Sequence, residues 1–349
     1  MRKIPAKIAY VLALALPLSF AAAAGPTAAA AAVVPVRVMI VNMFVVESGP
    51  WLKALPATRE IAVPGLTLAD PVVRCTVDDV CQMTSGMGHA NAAASLMALI
   101  YSGRFDLRHT YFLVAGIAGI DPASGTLGSA AWARYAVDIG LAHEIDAREM
   151  PHGWQTGYFG LLADAPGEKP RLEYGSEVFR LNEALLQQAL ALSAKASLAD
   201  AQDVRAYRAH YPKAPANQHP TVVQCDTATS DLWWSGRALG MQAQRWTKLM
   251  TGGRGNYCTS QQEDNAILTA LERGAQSGLL DRERIAVLRT GSDFDRPYPG
   301  QSVIDSMLRQ REVTGAFSIA AENLVRAGLP LVTEIATHWD AWRDGVPSR

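Results

Sequence analysis

Apolar residues in this chain fall into short continuous runs, separated by glycine turns and by stretches in which apolar positions recur at helical spacing. From Val36 the segment VRVMIVNMF is such a run. It lacks the polar alternation of a strand that faces water, and predicts a strand buried on both faces of a sheet. VCQMT follows, then the glycine turn SGMGH and the Ala-rich helical stretch NAAASLMALI. TYFLVAGIAGI repeats the plan, with an apolar strand over 110–115 that ends in small residues. TVVQC (221–225), an amphipathic stretch near WWSGRALGMQAQRWTKLM, NYCTS, the helix-like QQEDNAILTALERGA and the strand RIAVLRT (284–290) continue the alternation. Strands alternating with helices predict an α/β fold with a covered sheet. In such sheets ligands sit where strands end in loops.

The segment from about 141 to 220 breaks this rhythm. It holds the turn-rich PHGWQTGYFG, a helical stretch from Glu177 to roughly Arg208 and the Pro-rich loop HYPKAPANQHP, and it reads as an insertion or cap on one large domain. At the other end of the chain Met1-Arg2-Lys3 with Lys7 forms a positive region before an apolar run from Ile8 to Phe20 and the small residues Ala22-Ala23-Ala24. That order reads as a secretory signal peptide cleaved near Ala24, which implies a periplasmic or secreted protein. An uncleaved anchor is the alternative, since no charge lies between Lys7 and Arg37. The expected organisation is a signal peptide at 1–24, an Ala-rich linker at 25–35 and a single domain at 36–349.

Composition narrows the partners. Lys plus Arg (32) nearly cancels Asp plus Glu (33), so no basic field is available to hold a nucleic acid backbone. Beyond the N-terminal segment no run of about 18 apolar residues occurs, so no helical membrane span is expected in the mature chain. Cys75, Cys81, Cys225 and Cys258 form an even set, and of the three connectivities the expected one pairs 75 with 81 and 225 with 258. A zinc site is disfavoured by the absence of C-x-x-C spacing, and no metal is expected.

Three clusters carry candidate chemistry. Ser85-Gly86-Met87-Gly88-His89 lies between a strand and a helix, where free N–H groups favour an anion or a polarised oxygen, although two glycines also suit a tight turn by shape alone. His89 has the chemistry to donate to a bound hydroxyl. Thr290-Gly291-Ser292-Asp293-Phe294-Asp295 follows a strand, and a carboxyl beside an apolar aromatic can have its pKa raised enough to donate a proton near neutrality. Either Asp also suits a turn cap or a pair with Arg296. Gln261-Gln262-Glu263-Asp264-Asn265 opens a helix, where acids are favoured by the dipole and where a carboxylate can accept from vicinal sugar hydroxyls.

RTGSDF resembles the strand-end pattern of nucleoside phosphorylases and nucleosidases, whose Asp protonates purine N7; Asp293 takes that place, with Ser292 beside it. QEDNAI resembles the segment of the same superfamily whose Glu binds the ribose hydroxyls, and the match falls on Glu263, with Gln262 where Met is usual. Ser230-Asp231-Leu232-Trp233-Trp234 resembles a segment whose aromatics lie near base and sugar, which points to Trp233 and Trp234, a core tryptophan pair being the alternative. The loops SGMGH and AGIAGI, with Gly86, Gly88 and Gly116, match the nucleophile-side loops in position and type. From VMIVNMF through GMGHANAAAS, AGIAGIDPASGTLGSAAWARY, CDT, QQEDN and LRTGSDFDRPY to HWDAW, the chain is similar to the bacterial and fungal purine nucleoside permeases.

The resemblance implies a nucleoside-phosphorylase-like α/β fold, with a central mixed twisted sheet flanked by helices and an inserted cap. It also implies cleavage of the N-glycosidic bond of a purine nucleoside, supporting nucleoside uptake or salvage. Asp293 would be the general acid, and no cofactor is implied, with phosphate open as a co-substrate. Glu47 sits close to where the superfamily's hydrolases keep a water-activating Glu. Where a phosphorylase often has an arginine the chain has Ala115-Gly116-Ile117-Ala118-Gly119, while Arg134 and Arg148 remain within reach of a phosphate. The rival reading is a non-catalytic periplasmic component that hands nucleosides to a membrane transporter. A homo-oligomer stays open in either case.

Overall fold

Successive residues of the central strands are buried against different neighbours. Met39, Val41, Phe112, Val114 and Val287 belong to one core cluster, while Val38, Ile40, Leu113, Ala115, Ala286 and Leu288 belong to another. Such a sheet is covered on both faces, which is why its strands read as unbroken apolar runs. The computed structural model describes residues 32–347. The expected signal peptide and residues 25–31 of the expected linker lie outside the described residues. Residues from Val33 onward form one compact unit.

The main sheet contains β1 (Val38–Asn42), β2 (Arg59–Ala62), β3 (Val72–Cys75), β4 (Val80–Thr84), β5 (Tyr111–Ile120) and β6 (Ala130–Trp132). It continues with β7 (Tyr135–Asp138), β8 (Val178–Arg180), β9 (Val222–Gln224), β10 (Asp226–Thr229), β11 (Tyr257–Gln261) and β12 (Ile285–Phe294). The order across it is β8-β7-β10-β11-β5-β1-β4-β3-β2, with β12 against β5 and β6, and β6 also against β9. Parallel pairs (β1 with β4 and β5, β12 with β5) and antiparallel pairs (β11 with β5, β3 with β4) coexist, so the sheet is mixed. Helices α2 (His89–Tyr101) and α6 (Asp264–Gln276) bury Leu96, Leu99, Ile267 and Leu271 in one core, and α3 (Glu183–Ser193) and α8 (Ala316–Thr337) bury Leu185, Leu324 and Leu331 in the other.

Two expected strands are longer than the pattern indicated. β5 runs through AGIAGI to Ile120, and β12 runs through TGSDF to Phe294, because the two pair in parallel along their whole length. AGIAGI is therefore a strand and not a loop. Residues 177–208 do not form one helix. The side chain of Asn182 accepts the N–H groups of Ala184 and Leu185 and starts α3, while β8 precedes it and α4 (Gln202–Arg208) follows a break. The break is stabilised by Asn323, whose amide bonds both the N–H and the C=O of Ala199.

Both disulfides match the expected pairing, Cys75 with Cys81 and Cys225 with Cys258. Cys75 and Cys81 stand directly opposite each other on β3 and β4. Among the described residues no helix is long and apolar enough to cross a membrane, and no cluster of His, Cys, Asp and Glu has the form of a metal site.

Candidate active site

β1 leads directly into α1 (Val45–Ala54), and Glu47 stands in the first turn of that helix. The carboxyl is buried, with Oε2 accepting the Met43 N–H at 2.7 Å and Oε1 the Ile117 N–H at 2.8 Å. Burial disfavours the charged form and dominates; Arg289 and the two N–H groups oppose it, Glu263 adds to it, and the pKa is pushed up to about 7. A carboxyl so placed exists in both forms near neutrality, as a general base requires.

Asp293 reaches the same cleft from β12. The register between β12 and β5 shifts between Gly291 and Asp293, so that Asp293 stands opposite Gly119 with Ser292 as the extra residue. A bulge of this kind turns a side chain out of the regular alternation. Gly119 leaves room for it, since a Cβ there would lie 3.4 Å from Asp293 Oδ2 and 2.8 Å from Ser260 Oγ. Burial raises the Asp293 pKa to about 6, against the hydroxyl of Ser292 2.8 Å from Oδ1 and with help from the negative charge of Asp295. Asp295 is bound elsewhere: it pairs with Arg296 at 2.6 Å and accepts the Tyr257 hydroxyl at 2.7 Å, while Arg296 also meets Asp121 at 3.2 Å.

Glu263 ends the turn between β11 and α6. The side chain of Gln261 accepts the N–H groups of both Glu263 and Asp264, capping the helix and leaving the Glu263 carboxyl free to face inward. Its Oε1 accepts the Gly88 N–H at 3.1 Å, and Oε2 lies 3.5 Å from Arg289. Its pKa is raised, chiefly by burial, with Arg289 opposing. Arg289, buried in mid-strand on β12, binds Asp264 at 2.5 Å and donates to the Ile117 carbonyl at 3.1 Å. Burial works against its charge, and the carboxylates of Asp264, Glu263 and Glu47 hold it protonated. Gly116 makes this possible, because a Cβ there would collide with the guanidinium.

Removing Arg289 would leave buried carboxylates without a counter-charge. Arg289→Met is expected to cost about 3–5 kcal/mol and to lower the melting temperature by roughly 5–10 °C. Adding Asp264→Asn to it should recover part of that loss. An unchanged melting curve for the single variant would show that the pair carries no such weight.

The groups meet in a cleft of about 100 Å3, bordered by Glu47, Glu263, Ser292 and Asp293 and walled by Phe44, Met87, Trp233, Trp234 and Phe317. Among the described residues lining it none is cationic. Gln262 also borders the cleft, and its Nε2 donates to the Asp231 carbonyl at 2.7 Å.

The structure thus brings together Glu47, Glu263, Gln262, Asp293, Ser292, Trp233 and Trp234, and it places four other expected site residues behind the lining. Gly86 shapes the turn at φ +84°, Gly88 holds Glu263 through its N–H, Gly116 backs onto Arg289, and His89 binds Asp231. Trp233 and Trp234 are not a core pair, since Trp233 is half exposed and both face the cleft. Neither expected arginine is near: Arg134 pairs with Glu183, and Arg148 is exposed and pairs with Asp146. No residue of 141–220 lines this cleft. Sequence reasoning missed Arg289 as a supporting group, although a cation inside the apolar run IAVLRTGSDF was a visible signal. It also missed the Ile117 N–H, which no side-chain pattern reveals.

Residues 35–347 match the model of the family described as purine nucleoside permease. A probable purine nucleoside permease of Schizosaccharomyces pombe is 40% identical over 319 residues, spanning 88% of this chain and 90% of the relative. A purine nucleoside permease of Candida albicans is 39% identical over 309 residues, spanning 87% and 76%. Among solved structures, the 5′-methylthioadenosine/S-adenosylhomocysteine nucleosidase of Helicobacter pylori superposes with a TM-score of 0.53 at 13% identity, over 87% of this chain and 100% of that one. The futalosine hydrolase of the same organism gives 0.52 at 12% identity, over 86% and 98%. These likenesses establish a nucleosidase-type fold.

Proposed function

Because the chain belongs to the purine nucleoside permease family and carries its acidic cleft on a nucleosidase-type fold, we propose that it binds purine nucleosides and hydrolyses their N-glycosidic bond. One observation carries this reading: two carboxyls with pKa values raised to about 6 and about 7, Asp293 and Glu47, face one small cleft that also holds Glu263. Aromatic walls and a ribose-binding acid would serve a carrier as well. A carboxyl still protonated in part near neutrality beside a second one able to accept a proton serves proton transfer.

Breaking the bond from C1′ to N9 builds positive charge on the sugar and negative charge on the leaving base. Asp293, protonated, donates to the base and neutralises it as it leaves. Glu263 accepts from the ribose hydroxyls and fixes the sugar, and the tryptophans hold the base plane. Glu47 accepts a proton from water attacking C1′, so the products are free base and ribose. Water is favoured over phosphate because the cleft lining is acidic and, among the described residues, holds no cation, and Arg289 behind it is saturated by Asp264, Glu263 and the Ile117 carbonyl. No metal or organic cofactor takes part in these steps.

The deciding experiment incubates the purified protein with inosine or adenosine, with and without phosphate, and identifies the sugar. Free ribose at a rate independent of phosphate is the expected result. Ribose 1-phosphate would move the reading to phosphorolysis. Tight binding without release of base would leave a nucleoside-binding component of transport, in keeping with the name permease that the relatives carry.

Glu263→Gln weakens a charge-assisted contact to the sugar and is expected to lower kcat/KM for ribonucleosides by roughly 10-fold. For 2′-deoxynucleosides, which lack one of the hydroxyls, the loss should stay under about 3-fold. Equal losses for both substrate classes would remove Glu263 from the sugar.

A further inference from the structure

In the wall that Leu232, Trp233 and Trp234 present to the cleft, Trp234 packs against Ala228, Ala243 and Tyr257, whereas Leu232 and Trp233 belong to no core cluster. The same three wall residues also line a second cavity of about 340 Å3, with Ile139, Leu239 and Met307. Leu232 and Trp233 are 63% and 49% exposed. Leu232 and Trp233, with cavities on both sides, keep their place through the Trp234 contact and the bonds at the ends of the segment. At the far end the Gly236 N–H donates to the Asp295 carbonyl at 2.8 Å.

The near end is Asp231, and its bonds are unusual in where they go. Helix α2 starts after Gly88, which carries no side chain to cap it, and two of its free N–H groups are taken by carboxylates from distant segments. Gly88 donates to Glu263 at 3.1 Å, and His89 donates to Asp231 Oδ1 at 2.8 Å. The second oxygen of Asp231 lies 3.2 Å from Nδ1 of the same histidine. Nε2 is buried without a hydrogen-bond partner, with Asp138 Oδ2 4.0 Å away. The Asp231 carbonyl meanwhile accepts from Gln262, the neighbour of Glu263.

We propose that Asp231 and His89 are positioning residues that fix the tryptophan wall against the cleft, through a cap that Asp231 supplies to helix α2 from 142 residues away. The same helix end holds Glu263, so base wall and ribose acid are set from one origin. His89 then acts through Asp231 and not on the ligand. This inference rests on the reading of the cleft as a nucleoside site.

The test measures inosine affinity by calorimetry, together with turnover and hydrogen exchange, for the full chain and for Asp231→Ala, Asp231→Asn, His89→Ala and the double alanine variant. Asp231→Ala is expected to weaken inosine binding about 10-fold, and His89→Ala about 3-fold because the backbone N–H remains. The double variant should be no worse than Asp231→Ala, since both act in one unit. The amide oxygen of asparagine can still accept from the His89 backbone N–H, so Asp231→Asn should stay within about 3-fold of the parent. Amides of 231–236 should exchange faster in Asp231→Ala while melting is unchanged. Unaltered affinity and exchange in Asp231→Ala, additive losses, or failure of asparagine to rescue would overturn the proposal. If the parent binds inosine without cleaving it, the hydrolase reading fails and affinity still judges the clip. If it binds no nucleoside, the exchange of 231–236 judges it alone.

Discussion

Asp293→Asn is expected to lower kcat for base release by roughly 10²–10⁴-fold while nucleoside affinity stays within about 3-fold. The substitution keeps the size of the side chain and its bond with Ser292, and it removes the one proton that can pass to the leaving base. Asp295→Asn is the matched comparison, because burial lifts that carboxyl to about 6 as well, yet it is enclosed by Arg296 and Tyr257 and does not border the cleft. Its loss should lower the melting temperature and leave kcat within a few-fold. Absorbance or chromatographic assay of the released base reads both variants. A fully active Asp293→Asn protein would remove the general acid from the mechanism, and an inactive but stably folded Asp295→Asn protein would transfer the role two residues along.

The sequence made the strands of the core legible wherever both faces of the sheet are covered, since a strand such as Val38–Asn42 then carries apolar residues at every position but the last. It made the acids legible because each stands where a strand meets a turn or a helix. Glycine misled in both long strands. AGIAGI reads as a loop by composition, but its small residues are there because Arg289 lies against Gly116 and Asp293 and Ser260 lie against Gly119. TGSDF likewise reads as the end of a strand, whereas it is the bulged continuation that aims Asp293. His89 drew attention as a polar residue next to a glycine turn, and only the three-dimensional arrangement shows Asp231 occupying it from a segment far along the chain. Long-range pairing of this sort leaves no spacing to read. The disulfides were legible as a set, and the opposition of Cys75 and Cys81 across β3 and β4 accounts for the first of them.

Glu47→Gln is expected to reduce hydrolysis by roughly 10²–10⁴-fold, and its pH profile should identify the residue more sharply than the loss of rate does. The reacting form has Asp293 protonated and Glu47 ionised, although Asp293, near 6, is the stronger acid of the two and Glu47 is near 7. That form is a minority species of the free protein, most populated between the two pKa values. The parent kcat/KM should therefore trace a bell, with a rising limb near pH 6 and a falling limb near pH 7, values that belong to the pair and do not by themselves assign a limb to a residue. The variants separate them. With Glu47 replaced, the residual activity needs only protonated Asp293, so it should be flat at low pH and fall as pH rises through about 6. With Asp293 replaced, it needs only ionised Glu47, so it should rise through about 7 and then level off. Steady-state kinetics from pH 4.5 to 9 on the three proteins gives the result. A Glu47→Gln profile that kept both limbs of the parent would mean that some other group activates the water, and the arrangement of Met43, Ile117 and Glu47 would then be structural.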